Sequence, residues 1–273
     1  MNKNALIGIF LALGISLLAY FIMRFLPPVE MPHRVFIDSV VTRVSAGKEK
    51  TDTVWKKVPD FELTNQLGEK VGWKDLEGKI VVADFFFTTC PSVCPRMTQN
   101  MLELQRAVKT SDKVGNREPN FVQFLSFTVD PQRDSVEALK RYADRFQINP
   151  QNWWLLTGPK KEIYDLAYNG MSMGISETEI DTAFIHPQQF VLIDRERVIR
   201  ARKDSLGNVH LYNGLDTTDI KNLAEDIVLL SLEKDPKKKF FLAGKLELIA
   251  IVFAIAALIL VLFFGFLKKD RSK

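Results

Sequence analysis

Two stretches of the chain are apolar over about the thickness of a bilayer. Residues 5–25, "ALIGIFLALGISLLAYFIMRF", are uncharged up to Arg24, and residues 246–267, "LELIAIVFAIAALILVLFFGFL", carry only Glu247 at their edge. About 20 such residues cross a membrane as a helix, so the pattern predicts one transmembrane helix at each end. Pro27 and Pro28 stop the first one, because proline lacks the backbone donor and clashes with the preceding turn. No small-residue cleavage motif follows, which predicts a retained anchor and not a signal peptide. Lys3 and the basic tail "KKDRSK" favour both termini on the inner side. Residues 31–240 are then expected outside, although "DPKKK" before the second span weighs the other way.

Between these segments the pattern changes period. Residues 28–57 read as a linker with some strand character. "VPDFELTNQLGEKVGWKDLEGK", from Val58, predicts a short hairpin turning at "NQLGEK". "IVVADFFF" (80–87) and "FVQFLSFTV" (121–129) are continuous apolar runs, the pattern of strands buried on both faces. Met97, Met101, Leu104 and Val108 recur at helical spacing. "DSVEALKRYADRF" predicts a helix capped by Asp134 with Glu137 at its third position. "WWLLT" predicts a strand, and "PKKEIYDLAYN" a helix opened by Pro159. "QFVLID" and "RVIRARKD" predict a hairpin, and "DTTDIKNLAEDIVLLSLEK" a closing helix capped by Asp216. Strands alternating with helices predict an α/β domain with a mixed or parallel central sheet and helices on both faces. The expected organisation is an anchor over 1–27, a linker over 28–57, a domain over 58–233, a linker over 234–245, a second span over 246–267 and an inner tail over 268–273.

Composition narrows the chemistry. About 200 residues outside the spans form one ordinary domain, large enough to bury a core without cysteine staples. The net charge of +4 is mild, and the basic residues are scattered and not interleaved with stacking aromatics, which excludes a nucleic-acid footprint. Both cysteines of the 273-residue chain fall in "DFFFTTCPSVCPRM", at 90 and 94. They follow a central strand, where α/β folds place their chemistry. Cys94 is expected at the N-cap of the next helix with Pro95 after it, where unpaired backbone donors favour a thiolate and lower its pKa. A four-residue spacing on a first helical turn brings both sulfurs to one side, within reach of a disulfide or a shared metal. A bridge closing so short a loop removes little unfolded-state entropy, so an inert staple is the poorer reading.

These residues resemble the Sco/SenC family of thioredoxin-like copper proteins that serve cytochrome oxidase assembly. The likeness rests on "FFFTTCPSVCP", on "FTVDPQRDS" (127–135), and on a single histidine, His186, ahead of "FVLID". It spans about Val58 to Leu230. The resemblance implies a thioredoxin-like fold, copper as the cofactor, and Cys90, Cys94 and His186 as the metal ligands, with Cys90 and Cys94 also the redox pair. It implies cytochrome c oxidase subunit II, with its binuclear copper centre, as the partner. His33 and His210 are read as bystanders. Around the histidine the chain departs from the family: members commonly carry an aspartate before it and a small hydroxyl residue after it, where this sequence has Ile185 and Pro187. An imidazole ligand is usually oriented by a second group, which here falls to Asp181 or a backbone carbonyl.

Ligand type fits that expectation. Thiolates are soft donors that favour Cu(I), and an added imidazole makes Cu(II) tolerable. Structural zinc normally takes four protein ligands, and no third cysteine exists. Three readings follow: a membrane-tethered copper chaperone, a thiol–disulfide oxidoreductase acting on oxidase cysteines or in redox signalling, and a non-catalytic membrane scaffold. His186 separates the first two, since disulfide exchange does not require it. No Arg/Ser-rich leader precedes the first span, which favours a bacterial inner membrane with the domain in the periplasm.

Overall fold

The computed structural model describes Phe25 and residues 31–45, 48–110, 121–173, 187–203 and 206–233. Residues up to Ser231 form one compact unit and Leu232–Lys273 a second. Among the described residues no helix is long and apolar enough to cross a membrane. The two expected spans lie outside the described residues, save for Phe25.

The strands, in chain order, are β1 (His33–Arg34), β2 (Ile37–Ser45), β3 (Lys48–Trp55), β4 (Glu62–Asn65), β5 (Lys70–Gly72), β6 (Ile80–Phe86), β7 (Val122–Thr128), β8 (Trp153–Thr157), β9 (Gln189–Ile193), β10 (Ile199–Lys203), β11 (Val209–His210) and β12 (Tyr212–Asn213). The helices are α1 (Val93–Thr110), α2 (Val136–Phe146), α3 (Lys160–Asp165) and α4 (Thr217–Leu232). The main sheet runs β1-β10-β9-β6-β7-β8-β4-β5, with β11 and β12 attached to β10 and β9. β6, β7 and β8 are mutually parallel; β9 joins β6 antiparallel, β10 joins β9 antiparallel, and β4 closes antiparallel on β8. The expected mixed sheet is present.

Alternation along β6 divides the core. Val81, Ala83 and Phe85 face one layer, with Leu125, Phe127, Val191 and the α3 residues Ile163 and Tyr164. Ile80, Val82 and Phe86 face the other, under α1, α2 and α4. Every residue of β6 and β7 is buried, which is why both read as unbroken apolar runs in sequence.

Several local expectations hold and others shift. The β4–β5 turn forms at the expected site: the Asn65 side-chain oxygen accepts the N–H groups of Leu67 and Glu69, and Gly68 takes a positive φ of 83°. Asp216 caps α4 by accepting from Thr218 and Asp219. The cap of α2, however, is Ser135, whose hydroxyl accepts the Ala138 N–H. Asp134 points instead into the protein and is fully buried. The stretch 28–57 carries three strands: β2 and β3 form a separate two-stranded ribbon, and β1 joins the main sheet at β10. Arg200, buried, holds that junction through its bonds to Asp194 and the Pro32 carbonyl.

Candidate functional site

β6 ends at Phe86, and the turn that follows delivers Cys90 to the start of α1. The helix begins at Val93, so Cys94 is its second residue and not its cap. Pro95 is tolerated there because first-turn N–H groups have no helical partner to lose. Cys90 is half-buried; Cys94, at 1% exposure, packs in the layer with Met97 and Met101. Both are thiols.

This geometry separates the two sulfurs chemically. The Cys94 N–H donates to the Cys90 sulfur at 3.4 Å. Partial burial works to raise the Cys90 pKa, but hydrogen bonds outweigh it. The Cys94 thiol and the backbone N–H groups of Cys94, Ser92 and Val93 converge on its sulfur and hold it below the ordinary thiol value. Successive N–H groups at a helix start form a ready anion cradle. Cys94 moves the other way. Burial, the hydrogen bond it gives to Cys90, and the charges of Cys90 and Asp84 push its thiol well above the usual range, and a backbone bond at Phe87 offsets this only in part. The expectation that the helix end would acidify Cys94 is therefore corrected. The donors serve Cys90, because the helix starts one residue earlier and Cys94 turns inward.

Beneath the pair lies Asp84, which sequence reading passed over as part of a strand. Strand alternation puts it on the face with Ile80, Val82 and Phe86, under α1. It is buried, its Oδ1 has no partner, and burial pushes its carboxyl up to about 7 against a weaker lowering by the Ser126 hydroxyl. Ser126 in turn accepts the Trp153 indole N–H at 3.0 Å. Tyr142, hydrogen-bonded to Thr98 at 2.9 Å, completes this polar floor; burial, with the charges of Cys94, Asp84 and Cys90, raises its pKa. A lone carboxylate inside "IVVADFFF" is the one sequence sign that could have marked it.

His186 lies outside the described residues, as does Asp181; Pro187 and Gln188 lead into β9, which pairs with β6. His33 sits on β1, exposed, and His210 is on β11. Among the described residues no three His, Cys, Asp or Glu side chains cluster as a metal site. The described part of the site thus offers two sulfurs, one more acidic than an ordinary thiol, a donor set suited to a soft cation or to disulfide exchange.

A family model described as SCO1/SenC matches residues 49–210, more than half of the chain. The chain belongs to the SCO1/SenC family. Its relatives include an SCO1 protein homolog of Bacillus subtilis, 30% identical over 182 residues that cover 66% of this chain and 86% of the relative. The crystal structure of a SCO1/SenC family lipoprotein from Bacillus anthracis is similar at a TM-score of 0.54 and 33% identity, over 64% of this chain and 95% of that one. A structure of BsSco matches at a TM-score of 0.53 and 29% identity, over 66% and 95%. BsSco is a member of the Sco family of cytochrome c oxidase assembly proteins in which a disulfide switch was identified. The SCO1/SenC chain accordingly has an α/β thioredoxin-like fold, and Cys90, Cys94 and His186 all fall inside the matched segment.

Proposed function

We propose that this SCO1/SenC protein is a membrane-anchored copper metallochaperone. It holds copper on Cys90, Cys94 and His186 and passes it to the binuclear copper centre of cytochrome c oxidase subunit II during assembly. The observation that carries the reading is the sulfur pair: two thiols four residues apart where a central strand turns into α1, in contact through the Cys94 N–H, in a chain of a family with oxidase-assembly members. Two sulfurs and one imidazole make an open, three-coordinate site. An acceptor ligand can enter such a site before a donor leaves, which suits transfer. Copper needs both sulfurs deprotonated, so loading displaces the Cys94 proton and is possible only in the reduced chain. The domain is placed in the periplasm of a bacterial inner membrane, on the side where the acceptor centre lies.

A second reading has its own support. One acidic, accessible thiol beside one buried, weakly acidic thiol is the asymmetry that thiol–disulfide exchange uses, with Cys90 attacking and Cys94 resolving. The test titrates copper into the reduced full-length protein and into Cys90→Ser and Cys94→Ser variants. One copper per chain, lost in both variants, supports the chaperone. A chain that binds no copper yet reduces a disulfide supports the oxidoreductase.

A further inference from the structure

The second motif, "VDPQRD", has no role in the copper site as drawn, and its last residue is the buried Asp134. Three donors converge on that carboxylate: the Thr88 N–H at 3.1 Å, the Thr88 hydroxyl and the Thr128 hydroxyl. It accepts at every one of these contacts, as a carboxylate can. Thr88 lies two residues before Cys90, in the turn leaving β6, and Thr128 is the last residue of β7. The β7 side is itself rigid. The Thr128 hydroxyl receives the Asp130 N–H at 3.0 Å, the Asp134 N–H returns to the Asp130 carbonyl at 2.9 Å, and the Val129 N–H reaches the Phe86 carbonyl at 2.8 Å.

We propose that Asp134 is a positioning residue, whose buried carboxylate clamps the turn carrying Cys90 to the loop after β7 and so sets the Cys90 sulfur over the first N–H groups of α1. This deepens the proposed function without needing copper to be seen. The loop between β6 and α1 is short and partly exposed, and the Thr88–Asp134 pair ties it to the segment after β7. With the tie released, Thr88 to Cys90 can relax and the sulfur can leave the Cys94 N–H that now reaches it at 3.4 Å.

The test measures alkylation of Cys90 by iodoacetamide at pH 7 in the reduced, metal-free full-length protein, with the modified residue identified by peptide mass. Asp134→Asn keeps the shape but leaves one acceptor oxygen where three donors meet. Thr88→Val removes the hydroxyl donor alone and serves if Asp134→Asn does not fold. A sulfur that leaves its backbone donor loses part of its thiolate stabilisation, and its alkylation should slow about threefold. Both variants should show that loss, and Thr88→Ser, which restores the hydroxyl, should recover the wild-type rate. Ser135→Ala strips the cap of α2 one residue away and should lower the melting temperature while leaving the Cys90 rate unchanged. Wild-type rates in both Asp134→Asn and Thr88→Val would overturn the proposal, as would an equal loss in Ser135→Ala. A wild-type protein that binds no copper but shows the expected rates would retire the chaperone reading and leave the clamp standing.

Discussion

Cys90 and Cys94 are four positions apart and have opposite acidities, because one sulfur meets the first backbone donors of α1 and the other is turned into the core. Near neutral pH, alkylation should therefore modify Cys90 rapidly, and Cys90→Ser should leave a Cys94 that reacts only after unfolding; equal rates at the two thiols would remove the asymmetry. Asp84 makes a second residue-scale prediction. Its native carboxyl titrates near 7, raised by burial from a reference of 3.8. Between those values the native chain holds a proton that the unfolded chain has already lost. Its contribution is fully present below about pH 4 and is lost as pH rises through 7, about 4 kcal/mol across the window. In Asp84→Asn that loss should vanish, so urea unfolding at pH 4.5 and at pH 8 should show the variant gaining on wild type by several kcal/mol. A constant gap would mean that Asp84 is already ionised in the native state. Little of this was legible in the sequence. The identities of the two cysteines were plain, but which one is acidified depends on a one-residue shift in the helix start. Asp134 reads as a helix cap because Glu137 follows it three residues on; only the fold reveals that Ser135 takes that task and sends the aspartate inward.

Elements buried on both faces were the most legible. β6 and β7 announce themselves because no position in either can be polar without an internal partner, and the few that are, Asp84, Ser126, Gln123 and Thr128, sit in that interior. The β2–β3 ribbon was least legible. Its mixed, exposed residues, such as Val40, Val41 and Thr53, lack the alternation that a buried face imposes on a strand. The β9–β10 hairpin carries a testable energy. At its turn Asp194 accepts the N–H groups of Glu196 and Val198 and binds the guanidinium of Arg200, whose side chain is 5% exposed. Removing one partner strands a buried charge, so Asp194→Ala should cost about 3–5 kcal/mol. The urea midpoint should fall with an unchanged slope, and a loss under 1 kcal/mol would mean that the pair is open to water in solution.

At the scale of the whole molecule, a two-thiol domain is expected between two membrane spans that lie outside the described residues. The spans are expected from uniform apolarity alone, since lipid imposes it on every face of a helix. Reporter fusions within residues 58–233 and after Lys273 should fall in opposite compartments; the same compartment for both would defeat the two-anchor topology. The family and its fold were legible from three short motifs, two of which directly follow the central strands β6 and β7. The central claim is that these positions form one copper site from Cys90, Cys94 and His186. The most direct measurement is titration of the reduced protein with Cu(I) and with Cu(II), followed by X-ray absorption, in wild type and in His186→Ala. One copper per chain, two sulfur neighbours and one nitrogen from His186 are expected in wild type. In the variant, Cu(II) binding should weaken strongly and Cu(I) binding less, because nitrogen is the harder donor. Unchanged Cu(II) affinity and coordination in His186→Ala would contradict the site.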